Sequence, residues 1–187
     1  MVEFPHTACL GAGVIGASWT ALFLASGRSV AVFDPSPKAG KSVRDYIDRA
    51  WPAMEELGLT ANGTPDAVSF HSSAAAAVDG ASFVQENVPE RIAVKHAAYA
   101  EIEPVLQQDA VVASSASGLT LGQMQGGWKD PARFVLGHPF NPPHLIPLVE
   151  VMGNDKTGEG VVEAAERFYE SIGKVTIRVN KEVPGHV

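Results

Sequence analysis

Near the amino end a strand-like run, Thr7–Leu10, leads into Gly11-Ala12-Gly13-Val14-Ile15-Gly16, and from Val14 to Ser26 the pattern is helical. This junction is the strongest constraint in the chain. Gly11 permits a tight turn, Gly13 lets a ligand approach the backbone, and Gly16 lets helix and strand pack closely. The N–H groups that open the helix have no partners inside it, so they form an anion site. A βαβ unit begun this way belongs to a doubly wound, Rossmann-type, mostly parallel sheet that binds ligands at the carboxyl ends of its strands.

The next strand, Ser29–Phe33, ends at Asp34, 18 residues beyond Gly16. A carboxylate there can accept both hydroxyls of an adenosine ribose and would repel a 2′-phosphate, which favours NAD over NADP. The cofactor set is therefore Gly11, Gly13, Val14, Ile15, Gly16 and Asp34. FAD uses the same glycines, so they do not choose the cofactor alone. The structural alternative is a glycine-rich turn followed by Asp34 capping the next helix, since Asp34-Pro35-Ser36-Pro37 is a plausible cap.

Further along, short apolar runs alternate with helical ones. Pro35 to about Leu57 reads as a helix burying Val43, Ile47, Ala50 and Met54, with a boundary or kink at Pro52. In the first helix Ile15, Ser18, Leu22 and Ala25 form one stripe. Leu59–Asp66 is a surface loop. Strands follow at Ala67–Phe70 and Ser82–Glu86 around an alanine-rich helix. A helix from Pro89 to about Leu106 has Ile92, His96, Tyr99 and Leu106 near one face. Ala110–Ala113, Arg133–Gly137 and Pro147–Val151 are strands, Val161 to Ile172 is the last helix, and Lys174–Val179 the last strand. No linker or repeat divides residues 1–187, so one domain is expected. Pro184-Gly185-His186-Val187 reads as the start of a further segment, which suggests a fragment of a longer protein.

Composition removes several function classes. The 187 residues carry 14 basic and 21 acidic side chains, net −7, and no basic run exceeds two residues, which argues against nucleic acid or an anionic membrane as partner. A 45% hydrophobic content is normal for a folded domain. The single cysteine, Cys9, lies in an apolar stretch and reads as a core residue in a reducing compartment. With no signal-like amino end and no apolar run of membrane-spanning length, a soluble cytoplasmic protein is expected. His71, His96, His144 and His186 lack zinc-site spacing, and no Gly-x-Ser-x-Gly elbow occurs.

The chemistry-bearing residues lie later in the chain. His138 falls on the turn after a strand, in Gly137-His138-Pro139-Phe140-Asn141-Pro142-Pro143, and Glu150 follows inside an apolar strand, where a charge is costly unless paired. A carboxylate against the imidazole would hold its tautomer and raise its basicity, making His138 a general acid/base. The alternatives are a turn histidine bonded to backbone and an outward-facing glutamate. Ser117, after a buried strand, could touch substrate, although serines in such small-residue loops are commonly turn residues.

From Gly11-Ala12-Gly13-Val14-Ile15-Gly16 to Val183-Pro184-Gly185-His186-Val187, the chain resembles the NAD-binding domain of the L-3-hydroxyacyl-CoA dehydrogenase family. The most specific match is His138-Pro139-Phe140-Asn141-Pro142-Pro143 with Pro147-Leu148-Val149-Glu150-Val151. The resemblance implies His138 as the acid/base for the substrate's 3-hydroxyl, Glu150 as its orienting partner, Ser117 at the reacting oxygen and Asn141 near the nicotinamide. It implies Glu86, in Val84-Gln85-Glu86-Asn87-Val88-Pro89-Glu90, as a cofactor-site acid, and it puts Arg91 about where the family often has a cofactor-side lysine. The family continues with a catalytic asparagine and a helical domain that dimerises and closes over substrate. This chain ends before both, so a homodimer is implied only at full length. The helix after Asp34 lacks the lysine-rich face with which acyl-CoA members meet CoA phosphates. In Ala50-Trp51-Pro52-Ala53-Met54-Glu55-Glu56 and Lys181-Glu182-Val183 the chain is more similar to the branch of λ-crystallin (L-gulonate 3-dehydrogenase) and carnitine dehydrogenase. The expected substrate is thus a 3-hydroxyacyl-CoA or a free 3-hydroxy acid. The rival is a non-catalytic nucleotide-binding structural protein.

Overall fold

The computed structural model describes residues 4–182; Pro184-Gly185-His186-Val187, read above as a new segment, lie outside them. Eight strands form one sheet: β1 (His6–Leu10), β2 (Ser29–Phe33), β3 (Val68–Phe70), β4 (Phe83–Glu86), β5 (Val111–Ser114), β6 (Phe134–Pro139), β7 (Leu148–Met152) and β8 (Val175–Arg178). Their order is β3-β2-β1-β4-β5-β6-β7-β8, parallel throughout except for the antiparallel β6–β7 pair. The strand order reverses direction between β1 and β4, which is where doubly wound sheets open a ligand crevice.

Helices α1 (Val14–Ala25), α2 (Ala39–Glu56) and α6 (Val161–Ser171) cover one face, with Trp19, Phe23, Val43, Ile47 and Phe168 in its core. Helices α3 (Ala74–Val78), α4 (Ile92–Ile102) and α5 (Leu121–Gln125) cover the other, around Val78, Tyr99, Ile102 and Met124. With helices on both faces, β4 and β5 are buried at every residue.

Several expectations need correction. The first helix has no single buried stripe, because Gly16 through Ala25 are all buried between the sheet and α2. α2 starts at Ala39, not Pro35; the Pro35-Ser36-Pro37 run stays out of the helix, as residues before proline avoid its backbone angles. The helix then passes through Pro52, which like Asp48 one turn earlier is an exposed residue, so the lost backbone hydrogen bond falls on the solvent side of the helix. α4 buries Lys95, Tyr99 and Ile102, and leaves Ile92 37% exposed. α5 was not expected, yet Thr120 and Gln123 form a capping box that the sequence displays. His138 lies within β6, not on the turn after it.

Candidate active site

The carboxyl ends of β1 and β2 hold the glycine turn and Asp34. Gly11 has φ +84°, and a Cβ on it would lie 2.5 Å from the Asn87 carbonyl oxygen at the end of β4. A Cβ on Gly16 would lie 1.9 Å from the Gly11 carbonyl oxygen, whereas one on Gly13 would meet nothing within 4 Å. The turn is thus packed tightly on its inner side and open at Gly13, where the first N–H groups of α1, from Val14 on, have no partner within the helix. Asp34 Oδ2 accepts the Ala12 N–H at 2.8 Å and Oδ1 accepts the Ser36 N–H at 2.8 Å. Asp34 therefore ties the glycine turn to β2 and does not cap α2, whose capping position is Lys38. A backbone cradle that side chains would fill, with a carboxylate beside it, fits a dinucleotide: pyrophosphate at Gly13–Gly16 and ribose hydroxyls at Asp34.

Between this turn and β5 lies a cleft of about 200 Å³ lined by Ile15, Asn87, Glu90, Lys95 and Ser115 among others. Glu86 is fully buried behind it. Its Oε1 accepts from the Val88 N–H at 2.7 Å and the Lys95 ammonium at 2.6 Å, and its Oε2 from Tyr99 and Ser114 at 2.7 Å each. Burial, then the neighbouring Glu86 charge, keeps Tyr99 protonated as a donor by raising its pKa well above the ordinary value. Lys95, not Glu86, lines the cleft, so Glu86 bears on it through the ammonium. Arg91 is exposed at the N-cap of α4 and does not line the cleft; the cation there is Lys95, one helical turn further on. Sequence reasoning missed Lys95 because a lysine on a surface helix is ordinarily solvated. A buried lysine within reach of Glu86 was signalled only by Tyr99 at the i,i+4 position on the same face.

At the same edge of the sheet, His138 and Glu150 stand directly opposite each other in the β6–β7 ladder. His138 Nδ1 and Glu150 Oε2 are 2.7 Å apart, with the imidazole 19% exposed and the carboxylate fully buried. The expected pair is thus assembled by antiparallel register, which a twelve-residue separation in sequence cannot specify. The preceding residue, Gly137, packs where the Tyr169 hydroxyl sits: a Cβ there would be 2.0 Å from that oxygen. Tyr169 donates to Gln85 Oε1 at 2.7 Å, and Gln85 Nε2 donates to Ser115 at 2.8 Å. Ser115 in turn accepts from Trp19 Nε1 at 3.2 Å and donates to Asn87 at 2.7 Å. This network, absent from the sequence reading, joins the middle of α1 at Trp19 to the strand carrying His138, where Gln85 Nε2 reaches the Gly137 carbonyl oxygen at 3.4 Å.

Ser117 is exposed, with its N–H and hydroxyl both donating to Glu90 Oε1, at 2.5 and 3.0 Å, while Gly118 N–H donates to Oε2 at 3.0 Å. Burial raises the Glu90 pKa, but the bonds from Ser117 and Gly118, with Lys95 nearby, outweigh it and leave the carboxyl below its ordinary value. Ser117 is thus bonded to Glu90. Asn141 is exposed on the loop that follows His138. Cys9 is fully buried, and burial pushes its thiol up to about 12, countered in part by Thr20, as suits a core residue. Among the described residues, no three His, Cys, Asp or Glu side chains gather as a metal site, and no helix is long and apolar enough to cross a membrane.

The family described as 3-hydroxyacyl-CoA dehydrogenase, NAD binding domain, matches residues 6–183. An L-carnitine dehydrogenase of Streptomyces griseus is 45% identical over 182 residues, covering 97% of this chain and 54% of that protein. Another, of Pseudomonas putida, is 39% identical over 187 residues, covering 100% and 58%. This chain therefore spans little more than half the length of these relatives. The crystal structure of a 5-formyl-3-hydroxy-2-methylpyridine 4-carboxylic acid 5-dehydrogenase, described as an NAD+-dependent dismutase, has a TM-score of 0.90 at 34% identity, covering 99% of this chain and 60% of that one. Escherichia coli 3-hydroxybutyryl-CoA dehydrogenase has 0.85 at 26%, covering 95% and 38%.

Proposed function

The chain belongs to the 3-hydroxyacyl-CoA dehydrogenase family as an NAD-binding domain, and on that premise we propose that it serves the NAD-dependent oxidation of a free 3-hydroxy acid to its 3-keto product. The observation that carries this is the His138–Glu150 pair at the ligand edge of the sheet. L-carnitine is the first substrate to test, because the relatives at 39% to 45% identity bear that activity in their names. The α2 surface supports a free acid over a CoA thioester: Lys41, its one lysine, is paired with Asp45 at 2.6 Å, and Glu55 and Glu56 follow.

Bound NAD supplies the hydride acceptor. Gly11, Gly13, Val14, Ile15 and Gly16 hold its phosphates, Asp34 the adenosine ribose, and Lys95, backed by Glu86, the inner cleft. Asn141 stands near the nicotinamide and Ser117 near the reacting oxygen; Arg91 contributes at most at the rim. His138 takes the hydroxyl proton at Nε2 as the C3 hydrogen leaves with its electron pair and the C–O bond becomes a carbonyl. Glu150, bonded to Nδ1, keeps the ring aimed and offsets the positive charge that the proton brings, an effect enlarged by its burial. The same proposal takes residues 1–187 as one domain of a two-domain homodimer, on the strength of the family resemblance, and as cytoplasmic, on the strength of its single buried cysteine.

The test is His138→Gln in the full-length protein. NADH affinity should stay nearly unchanged while turnover falls by about two to four decades, the worth of a general base. Wild type is assayed with L-carnitine, L-gulonate and 3-hydroxybutyryl-CoA side by side. A fully active His138→Gln variant overturns the mechanism, and preference for the thioester overturns the substrate class.

A further inference from the structure

The loop between β6 and β7 carries Asn141 three residues after His138, and side chains from two other elements hold it. The Lys174 ammonium, at the entry to β8, donates to the carbonyl oxygens of Pro143 and Ile146, the latter at 2.7 Å. It also lies 5.3 Å from the centroid of the Trp19 ring on α1. On α1 too, Ser18 accepts the His144 backbone N–H at 3.0 Å and sits 2.8 Å from His144 Nδ1. Nδ1 is the acceptor open to the Ser18 proton, so a neutral imidazole completes the tie. Burial, with Lys174 nearby, lowers the His144 pKa and favours that neutral ring.

Lys174 is only 6% exposed, and among the described residues it faces no carboxylate at ion-pair distance. Such a cation is costly to bury. Burial lowers its pKa from 10.5 to about 8. Between those values the unfolded chain holds a proton that the folded chain has lost, so this group makes the fold more stable as pH rises. The charged ammonium therefore acts against stability at neutral pH. The titratable groups facing the clamp are His144 on the loop and, behind it, Tyr46 and Arg49 on α2; the α1 contacts, Trp19 and Ser18, do not titrate.

We propose that Lys174 is a positioning residue, its ammonium clamping the Asn141–Ile146 loop so that Asn141 is held beside His138, at a cost in fold stability. The role of the loop rests on the dehydrogenase reading above; the clamp itself does not. The test compares full-length wild type with Lys174→Met, which keeps the apolar stem and removes the charge. Amide exchange at Asn141, His144, Leu145 and Ile146 should quicken about tenfold and kcat fall about tenfold, as expected for losing a charge-assisted hydrogen bond, while the melting temperature stays equal or rises. The KM for NAD should move less than about threefold. In wild type, loop exchange corrected for intrinsic base catalysis should quicken between about pH 7 and 9 without a fall in melting temperature, a series that decides the matter should the variant not fold. Unchanged loop exchange, or a lower melting temperature with exchange faster everywhere, overturns the clamp. A wild type inactive on every substrate defeats the dehydrogenase reading instead, and the exchange data still judge Lys174.

Discussion

Replacing Gly137 with alanine puts a methyl group where the fold keeps the Tyr169 hydroxyl. The new Cβ would lie 2.0 Å from that oxygen, 2.9 Å from Cζ and 3.0 Å from the Ala113 Cβ. Tyr169 has no room to yield: it is fully buried, with Trp19 and Phe83 ring centroids each 5.5 Å away. Either β6 moves or the 2.7 Å bond to Gln85 breaks and leaves a buried amide oxygen unpaired. Overpacking costs about 1–3 kcal/mol and an orphaned buried acceptor a similar amount, so the expected loss is about 4 kcal/mol. Because His138 is the next residue on β6, turnover should fall at least about tenfold as the imidazole is displaced. Urea unfolding and steady-state rates on Gly137→Ala, Tyr169→Phe and the double variant test this. Removing the colliding oxygen should return about 2 kcal/mol relative to additivity. A loss below about 1 kcal/mol for Gly137→Ala, or strict additivity in the double variant, would refute the packing account.

Two further outcomes follow from the cofactor side. Asp34→Ala should weaken the preference for NAD over NADP in fluorescence titrations, since it removes the carboxylate proposed to accept the ribose hydroxyls; an unchanged ratio counts against that contact. Glu90, held below its ordinary value of 4.5 by the Ser117 and Gly118 bonds despite burial, adds stability that is fully present above 4.5 and is lost as pH falls from there through the lower folded value. Glu90→Gln should therefore flatten the acid limb of a melting-temperature profile, and an unaltered limb would show that the tie contributes nothing.

Glycine spacing and the alternation of strands and helices were enough to determine the fold class and the cofactor end, and a histidine in a proline-rich run with a glutamate in an apolar one singled out His138 and Glu150 as a candidate pair. Those features are local: each depends on which backbone angles, periodicities or charges a short stretch tolerates. The pairing of His138 with Glu150 needed only the β6–β7 register to become real. What tertiary structure alone decided is how buried polar groups are satisfied. It turned α4 so that Lys95, not Arg91, enters the cleft, because Glu86 had to be neutralised inside the protein. It also joined Gln85 of β4, Trp19 of α1, Tyr169 of α6 and Ser115 just after β5, and set Lys174 under the loop after His138. Periodicity says which residues leave water; only the packed fold says which partner waits for each polar group once it has left.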